Sequence, residues 1–330
     1  MTQAAIAVII PFYQKRAGIL RRSVESALEQ KDVPLPRVIV VDDGSPVEAR
    51  SELTDLLIAF PNNLEILRQA NAGPGAARNT GLRHVLGNAD VIAFLDSDDV
   101  WEPQHLKIAQ AALDLGFDFY FSDAVHREAE HTVFQTKGIP DQDCKLVSKD
   151  LCLYEYVSDF FQLILDRCPI ATPAVVYRLS SFQHMFREDL RTAGEDYFFW
   201  LQVAYSRKRI ALSTLPNVKL GLGMNIYAGV EWATNAQLKQ IYFNQLYVST
   251  LPNQFSLTPE QRFSCARLVT QHRRAFVRNL CSLMVHEKKV EPAILLRYIR
   301  MDPSVLFRIP AYVASRLTSP FIQLFRPRKR

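Results

Sequence analysis

The chain has 330 residues, 48% of them hydrophobic and 22% charged, a balance that excludes a disordered or fibrous protein and suits one α/β domain with an appendage. Its formal net charge of +5 is unevenly spread: residues 260–330 carry 15 Lys and Arg against 4 Asp and Glu, a net of +11, while the rest stands at −6. Five cysteines without a CxxC pair exclude a fully paired disulfide scaffold, fit a reducing compartment and make a cytoplasmic location the expectation.

The first 123 residues alternate strand-like and helix-like segments. Residues 5–10 form a short apolar strand ended by Pro11, and 18–30 read as a helix. A second strand at 37–41 runs into Asp42-Asp43-Gly44-Ser45. A helix is expected at 48–60, a strand at 64–67, a helix at 76–86, and a strand at 91–95. A helix at 104–115 and a strand at 117–121 close the series. This rhythm predicts a mostly parallel sheet with helices on both faces, whose ligands collect at the carboxyl ends of the strands. Residues 124–170 are less regular. A strand is expected at 174–177 and a helix at 195–205. Beyond Trp232 the pattern turns helical, with a helix start at Ser256-Leu257-Thr258-Pro259-Glu260. The boundaries drawn are 1–230 for the α/β part, in two portions 1–123 and 124–230, and 231–330 for a helical, basic extension.

No segment reads as a membrane-spanning helix, and Met1-Thr2-Gln3 does not open a signal peptide. In 303–330, Leu306, Ile309, Val313, Leu317 and Leu324 fall on one side of a helical wheel, and Arg326, Arg328, Lys329 and Arg330 end the chain. That combination predicts a helix lying on an anionic membrane surface; the alternative is a helix packed on the protein with a solvated basic tail.

Polar clusters stand where the strands end. Asp42-Asp43-Gly44-Ser45 suits a turn, and it also suits a carboxylate receiving a base N–H or a ribose hydroxyl. Asn71 to Gly81 opens a helix with a Gly/Pro loop, which suits backbone close to an anion and an Arg78 that meets a phosphate or a carboxylate. Neither GxGxxG nor a P-loop is present. Asp96-Ser97-Asp98-Asp99 places three carboxylates in four residues directly after an apolar strand. Hard oxygen ligands suit Mg²⁺ or Mn²⁺, and so few of them imply a diphosphate that completes the shell; the alternative is an acidic cap on the next helix. Gly194-Glu195-Asp196-Tyr197-Phe198-Phe199-Trp200 joins two carboxylates to four aromatics. It suits a base held in a dry pocket beside a sugar, or a helix N-terminus with a core stripe. The histidines lack metal-site spacing, and nothing points to nucleic acid.

Taken in order, Val8 to Tyr13, Val40 to Ser45, Asn71 to Gly81, Phe94 to Asp99 and Gly194-Glu195-Asp196 with Trp200 resemble the inverting family-2 glycosyltransferases, which have a GT-A fold and serve bacterial polysaccharide and glycan biosynthesis. The resemblance implies that Pro11 and Tyr13 line the base pocket and that Asp42 or Asp43, with Asp43 preferred, binds base and ribose. Arg78 and Ser97 lie near the nucleotide. Asp96-Ser97-Asp98 resembles the family's DxD motif, with Asp98 on a Mn²⁺ or Mg²⁺ ion and Asp96 near ribose and metal. Asp196 is the implied base and Glu195 its helper. Trp101, Tyr197 and Trp200 are the acceptor-side candidates. The implied function is metal-dependent, non-processive, inverting transfer from a nucleotide-diphospho-sugar, UDP-sugar favoured, to a glycan or lipid-linked acceptor. The alternative is a non-catalytic scaffold that binds nucleotide or glycan. Three departures stand out: Gln14 replaces the family's usual Asn, no QxxRW motif is present, and 220–227 lacks the histidine many relatives carry.

Overall fold

The structure is a computed structural model that describes residues 4–221, 231–286 and 289–317. Its elements in order are β1 (Ile6–Phe12), α1 (Leu20–Leu28), β2 (Arg37–Asp42), α2 (Ala49–Glu52), α3 (Thr54–Ala59), β3 (Leu64–Arg68), α4 (Pro74–Val85), β4 (Val91–Phe94), β5 (Val100–Trp101), α5 (His105–Asp114), β6 (Phe119–His126) and α6 (Val133–Lys137). Then come β7 (Cys144–Ser148), β8 (Leu153–Tyr156), α7 (Phe160–Asp166), β9 (Val175–Arg178), α8 (Glu195–Tyr205), β10 (Ile210–Leu220), α9 (Asn235–Gln254), α10 (Pro259–Val285), α11 (Pro292–Met301) and α12 (Val305–Leu317).

Two compact units divide the chain: residues 1–191 with 195–228, and residues 192–194 with 229–330. In the first, the strands form one sheet in the order β3-β2-β1-β4-β9-β6-β10-β8-β7, with β5 added on β10. β3, β2, β1 and β4 run parallel, as do β6 and β10, while β9 is antiparallel to both β4 and β6. The expected mostly parallel α/β sheet is therefore the observed one. The apolar runs of β1, β2 and β4 are buried because helices cover both sheet faces; Val8, Val40 and Ala93 are fully enclosed.

Local chemistry explains two differences from the expected elements. The expected helix at 48–60 is two short helices, α2 and α3, that meet at Leu53, a buried residue anchored in the core. β10 has no counterpart in the sequence reading. Its register shifts at Pro216, which has no N–H to give the ladder.

The second unit is helical. α9, α10, α11 and α12 bury one cluster that includes Leu238, Phe276, Leu280, Ile294, Tyr298 and Val305. Thr258 caps α10 in a capping box with Gln261, and Pro259 follows at the first turn, as the start at 256–260 predicts. Asp302 is buried among donors: Arg273 Nε at 2.5 Å and Gln245 Nε2 at 2.9 Å. The wheel drawn for 303–330 needs a correction here. Val305 is buried and Ile309 and Tyr312 pack on the cluster, so the inward stripe is 305, 309, 312, and Leu306 points outward at 50% exposure. The Val313, Leu317 and Leu324 side chains and the 318–330 tail, with its Arg326, Arg328, Lys329 and Arg330, lie outside the described residues, as do the last residues of 220–227.

Candidate active site

The carboxyl ends of β1, β2, β4 and β10 and the first turns of α4 and α8 supply the residues singled out in the sequence. β1 delivers Pro11, Tyr13 and Gln14. Pro11 and Tyr13 are half-buried, whereas Gln14 is buried and donates from Nε2 to Ser97 Oγ at 3.2 Å. The Gln14 backbone exchanges two hydrogen bonds with Ser45 Oγ, at 2.8 and 2.9 Å. Gln14 thus ties three strand ends together, a role the sequence reading missed. Its only signal was a polar residue directly after a buried strand.

The two aspartates after β2 divide their work. Asp42 accepts the Ser45 N–H at 2.8 Å and the Ala49 N–H at 3.1 Å, so it builds the turn and starts α2. Asp43 accepts from Gln69 Nε2, the Ala72 N–H and the Gly73 N–H, each at 2.8 Å. It thereby holds the loop that leads into α4. Gly73 has φ +95°, a left-handed conformation that glycine adopts without strain, and Pro74 follows at the first turn of α4.

α4 carries Arg78, which is buried. Its Nη2 donates to Asp96 Oδ1 at 2.7 Å and its Nη1 to Glu195 Oε1 at 3.3 Å. The guanidinium also lies 5.3 Å from the centre of the Phe186 ring. Asn79, next in sequence, is fully buried; it donates to the Phe186 carbonyl at 2.9 Å and accepts the Phe186 N–H at 2.8 Å. Gly75 leaves room for this packing, since a Cβ there would sit 3.2 Å from both Glu195 Cγ and Phe186 Cβ. The pair Arg78-Asn79 therefore joins β4 to the segment before α8. The sequence reading saw Arg78 and not Asn79, because a polar helix residue carries no signal of a partner more than a hundred positions away.

The acidic motif sits at the end of β4. Asp96 and Asp98 are half-buried, Ser97 and Asp99 buried. Burial, with the charges of Asp96 and Asp98 adding to it, pushes the Asp99 carboxyl well above its ordinary range. Asp99 accepts the Gly221 N–H at 2.6 Å, which brings the end of β10 against the motif. A Cβ at Gly221 would lie 2.4 Å from the Asp98 carbonyl oxygen and 2.9 Å from its Oδ2. Gly221 is thus a site residue that no sequence signal had marked. Among the described residues no three His, Cys, Asp or Glu side chains are grouped to enclose a cation. A cation here would rest on one or two aspartates and complete its shell with water and substrate oxygens, which is how Mg²⁺ is usually held.

α8 brings the other carboxylates. Burial raises Glu195 to about 8, the Asp196 charge adds to the shift, and Arg78 opposes it. Burial likewise raises Asp196, again against Arg78. Asp196 is less enclosed than Glu195, and its Oδ1 accepts the Tyr197 N–H at 2.7 Å. Arg78 thus contacts Asp96 and Glu195, and its charge also acts on Asp196, opposing the burial of both α8 carboxyls.

The expected acceptor residues part company. Trp200 is fully buried, with ring centres 5.7 Å from Phe119 and 5.2 Å from Phe199. Trp101 is 3% exposed, and its Nε1 donates to the Pro173 carbonyl at 2.6 Å. Both belong to the core and offer no face to an acceptor, a correction to the sequence reading. An aromatic stripe at helical spacing looks the same whether it lines a core or a pocket. Tyr197 is half-buried beside Asp196.

The profile described as "Glycosyl transferase family 2" matches residues 7–161. Those residues belong to glycosyltransferase family 2. Along nearly its whole length the chain resembles the succinoglycan biosynthesis protein ExoW of Rhizobium meliloti (strain 1021), at 28% identity over 306 residues, 92% of this chain and 96% of ExoW. An uncharacterized glycosyltransferase of Rickettsia felis is 31% identical over 200 residues, 60% of this chain; the chain spans 30% of that longer protein. Two solved structures share the fold. S. aureus TarS 1-349 in complex with UDP-GlcNAc superposes with a TM-score of 0.56 at 18% identity, covering 94% of this chain and 83% of that one. The mannosyltransferase PcManGT from Pyrobaculum calidifontis, in complex with GDP-Man and Mn2+, gives 0.55 at 15% identity, covering 96% and 84%. The chain is a glycosyltransferase with a GT-A fold, as the ordered motifs implied.

Proposed function

We propose that the protein transfers a sugar from a nucleotide-diphospho-sugar to a glycan or lipid-linked acceptor, non-processively and with inversion at the anomeric carbon. One observation carries the reading: buried Arg78 binds both Asp96, at the acidic motif, and Glu195, beside Asp196. A donor-binding motif and a base are thereby fixed within one guanidinium's reach of each other. In this reading Pro11, Tyr13 and Asp43 border the base and ribose, and Ser97 and Asp96 the sugar-nucleotide. Asp98 and Asp96, two half-buried carboxylates, have the hard oxygen donors that Mn²⁺ or Mg²⁺ prefers. When bound, the cation neutralises charge on the departing diphosphate.

Asp196 takes the proton of the acceptor hydroxyl as that oxygen bonds to the anomeric carbon. The bond from that carbon to the diphosphate oxygen breaks, and the diphosphate leaves with the electron pair. Attack from the face opposite the leaving group inverts the centre, so an α-linked donor gives a β-linked product. Glu195, paired with Arg78, positions Asp196 and keeps its environment dry. The ligands held by the two fold relatives, UDP-GlcNAc in one and GDP-Man with Mn2+ in the other, support a nucleotide-sugar donor and a divalent cation, and the similarity to the succinoglycan biosynthesis protein ExoW supports polysaccharide biosynthesis. We favour a UDP-sugar. All five cysteines are free thiols, which supports a cytoplasmic enzyme.

A thermal-shift panel of nucleotide-sugars, each with and without Mn²⁺, tests the proposal. A ligand at 100 times its Kd adds about 2.7 kcal/mol of stability, a shift that is readily measured. At least one nucleotide-sugar is expected to raise the melting temperature, more so with Mn²⁺. A panel in which none does, at millimolar ligand, would count against the reading.

A further inference from the structure

The helices at the end of the chain have an outer side that the core does not use. In α11, Ile294 and Tyr298 are buried while Leu296, Arg297 and Arg300 face outward. In α12, Val305 is buried and Ile309 packs on the same cluster, while Leu306, Phe307 and Arg308 face outward. The outward apolar residues are large and well exposed: Leu296 55%, Leu306 50% and Phe307 80%. Single exposed apolar residues are ordinary; here Leu296 and Phe307 are each followed by an exposed arginine, and Leu306 adjoins Phe307, on short amphipathic helices.

Charge decides what these helices meet. Residues 292–330 contain eight Lys and Arg and one acid, Asp302. Asp302 is 7% exposed and is taken up by Arg273, Gln245 and Ser304, so it does not offset the outward arginines. A second copy of the chain docked on the same helices would set arginine against arginine. An anionic surface would meet Arg297, Arg300 and Arg308 with opposite charge and accept Leu296, Leu306 and Phe307 into its apolar layer. Spanning is excluded for these helices, since none among the described residues is long and apolar enough.

We infer that α11 and α12 dock on an anionic lipid surface through Leu296, Leu306 and Phe307, with Arg297, Arg300 and Arg308 on the headgroups. This goes beyond the transfer reaction and does not depend on the donor-site assignment. Interfacial helices bind by buried apolar area plus attraction to anionic lipid, so both parts are testable.

The experiment is flotation of the full-length protein with vesicles of phosphatidylcholine, with or without phosphatidylglycerol. The protein is expected to float with the anionic vesicles and to remain behind with the neutral ones. The double variant Leu306→Glu/Phe307→Glu is expected to lose at least about tenfold in partitioning, since it removes both apolar side chains and adds repulsion. The triple variant Arg297→Gln/Arg300→Gln/Arg308→Gln should lose about two orders of magnitude, at about fivefold per arginine near anionic lipid. These residues are exposed, so the melting temperatures are expected to match the parent, and circular dichroism checks this. An Asp98→Ala protein should float like the parent, which separates this inference from the donor site. Parent protein that does not float, or a double variant that floats equally, overturns the inference. So does a parent dimer, seen by light scattering without flotation, that the double variant dissolves.

Discussion

Arg78 Nη2 lies 2.7 Å from Asp96 Oδ1, an ion pair between a buried guanidinium and a carboxylate that remains 31% exposed. The same guanidinium holds Glu195, so α4 is the brace between the acidic motif and the start of α8. Removing Arg78 takes the shared donor from Asp96, which is part-exposed, and from Glu195, which can hold a proton, at about 1–3 kcal/mol. Arg78→Met is expected to lower unfolding free energy by roughly that amount in urea titrations. A loss below about 1 kcal/mol, the range of a surface pair, would contradict the brace.

The pH dependence of stability follows from Glu195. Its ordinary value is 4.5 and burial lifts it to about 8 in the folded protein. Between those values the folded chain holds a proton that the unfolded chain has released. Its contribution to stability is therefore full below 4.5 and is lost as pH rises toward 8. Glu195→Gln cannot ionise and is expected to flatten the decline. Urea midpoints at pH 5 and pH 8 for both proteins check this, and an equally steep decline in the variant would show that Glu195 is already ionised at pH 5.

Gly81 tests how closely α4 lies on β1. A Cβ there would sit 2.6 Å from Ile9 Cγ2, in a fully buried part of the sheet. Gly81→Ala is expected to destabilise by about 1–3 kcal/mol through overpacking, even though alanine is the better helix former. A stabilised Gly81→Ala protein would mean that the helix has room to shift.

The parts of the fold that were legible are those whose signal is local. β1, β2 and β4 are apolar runs, with β1 continuing one residue past Pro11 to Phe12, β2 ending at Asp42 and β4 stopping just before Leu95-Asp96, and a parallel sheet buries such runs whole. The acidic motif, the loop into α4 and the Glu195-Asp196 pair were visible because unusual residues stand together. What stayed hidden depends on distant partners. β10 is pinned by β6 and β8 and carries Pro216, so its strand pattern is broken in sequence. Gln14, Asn79 and Gly221 are ordinary residues until their partners Ser97, Phe186 and Asp98 are in place. Trp200 was assigned to the acceptor and lies in the core, since periodicity cannot tell an aromatic core from an aromatic pocket. α12 has an apolar stripe at 305, 309 and 312 and further apolar residues at 306 and 307, and only packing decides which of them is buried.

The assignment of Asp196 is tested without knowing the acceptor, through slow transfer of the donor sugar to water. Asp196→Asn is expected to slow release of the nucleoside diphosphate by about 10²–10⁴-fold. Donor affinity by calorimetry should stay near that of the parent, because the base acts on the attacking oxygen. Near-normal release in the folded variant would move the role to Glu195.

The central claim is that the acidic motif after β4 holds a nucleoside diphosphate through a divalent cation, and calorimetry of UDP binding to the parent and to Asp98→Ala, with and without Mn²⁺, tests it most directly. The parent is predicted to bind UDP more tightly with Mn²⁺, and Asp98→Ala to lose most of that gain while it keeps the parent's weak metal-free affinity. Equal affinities and equal metal dependence in the two proteins would contradict the account.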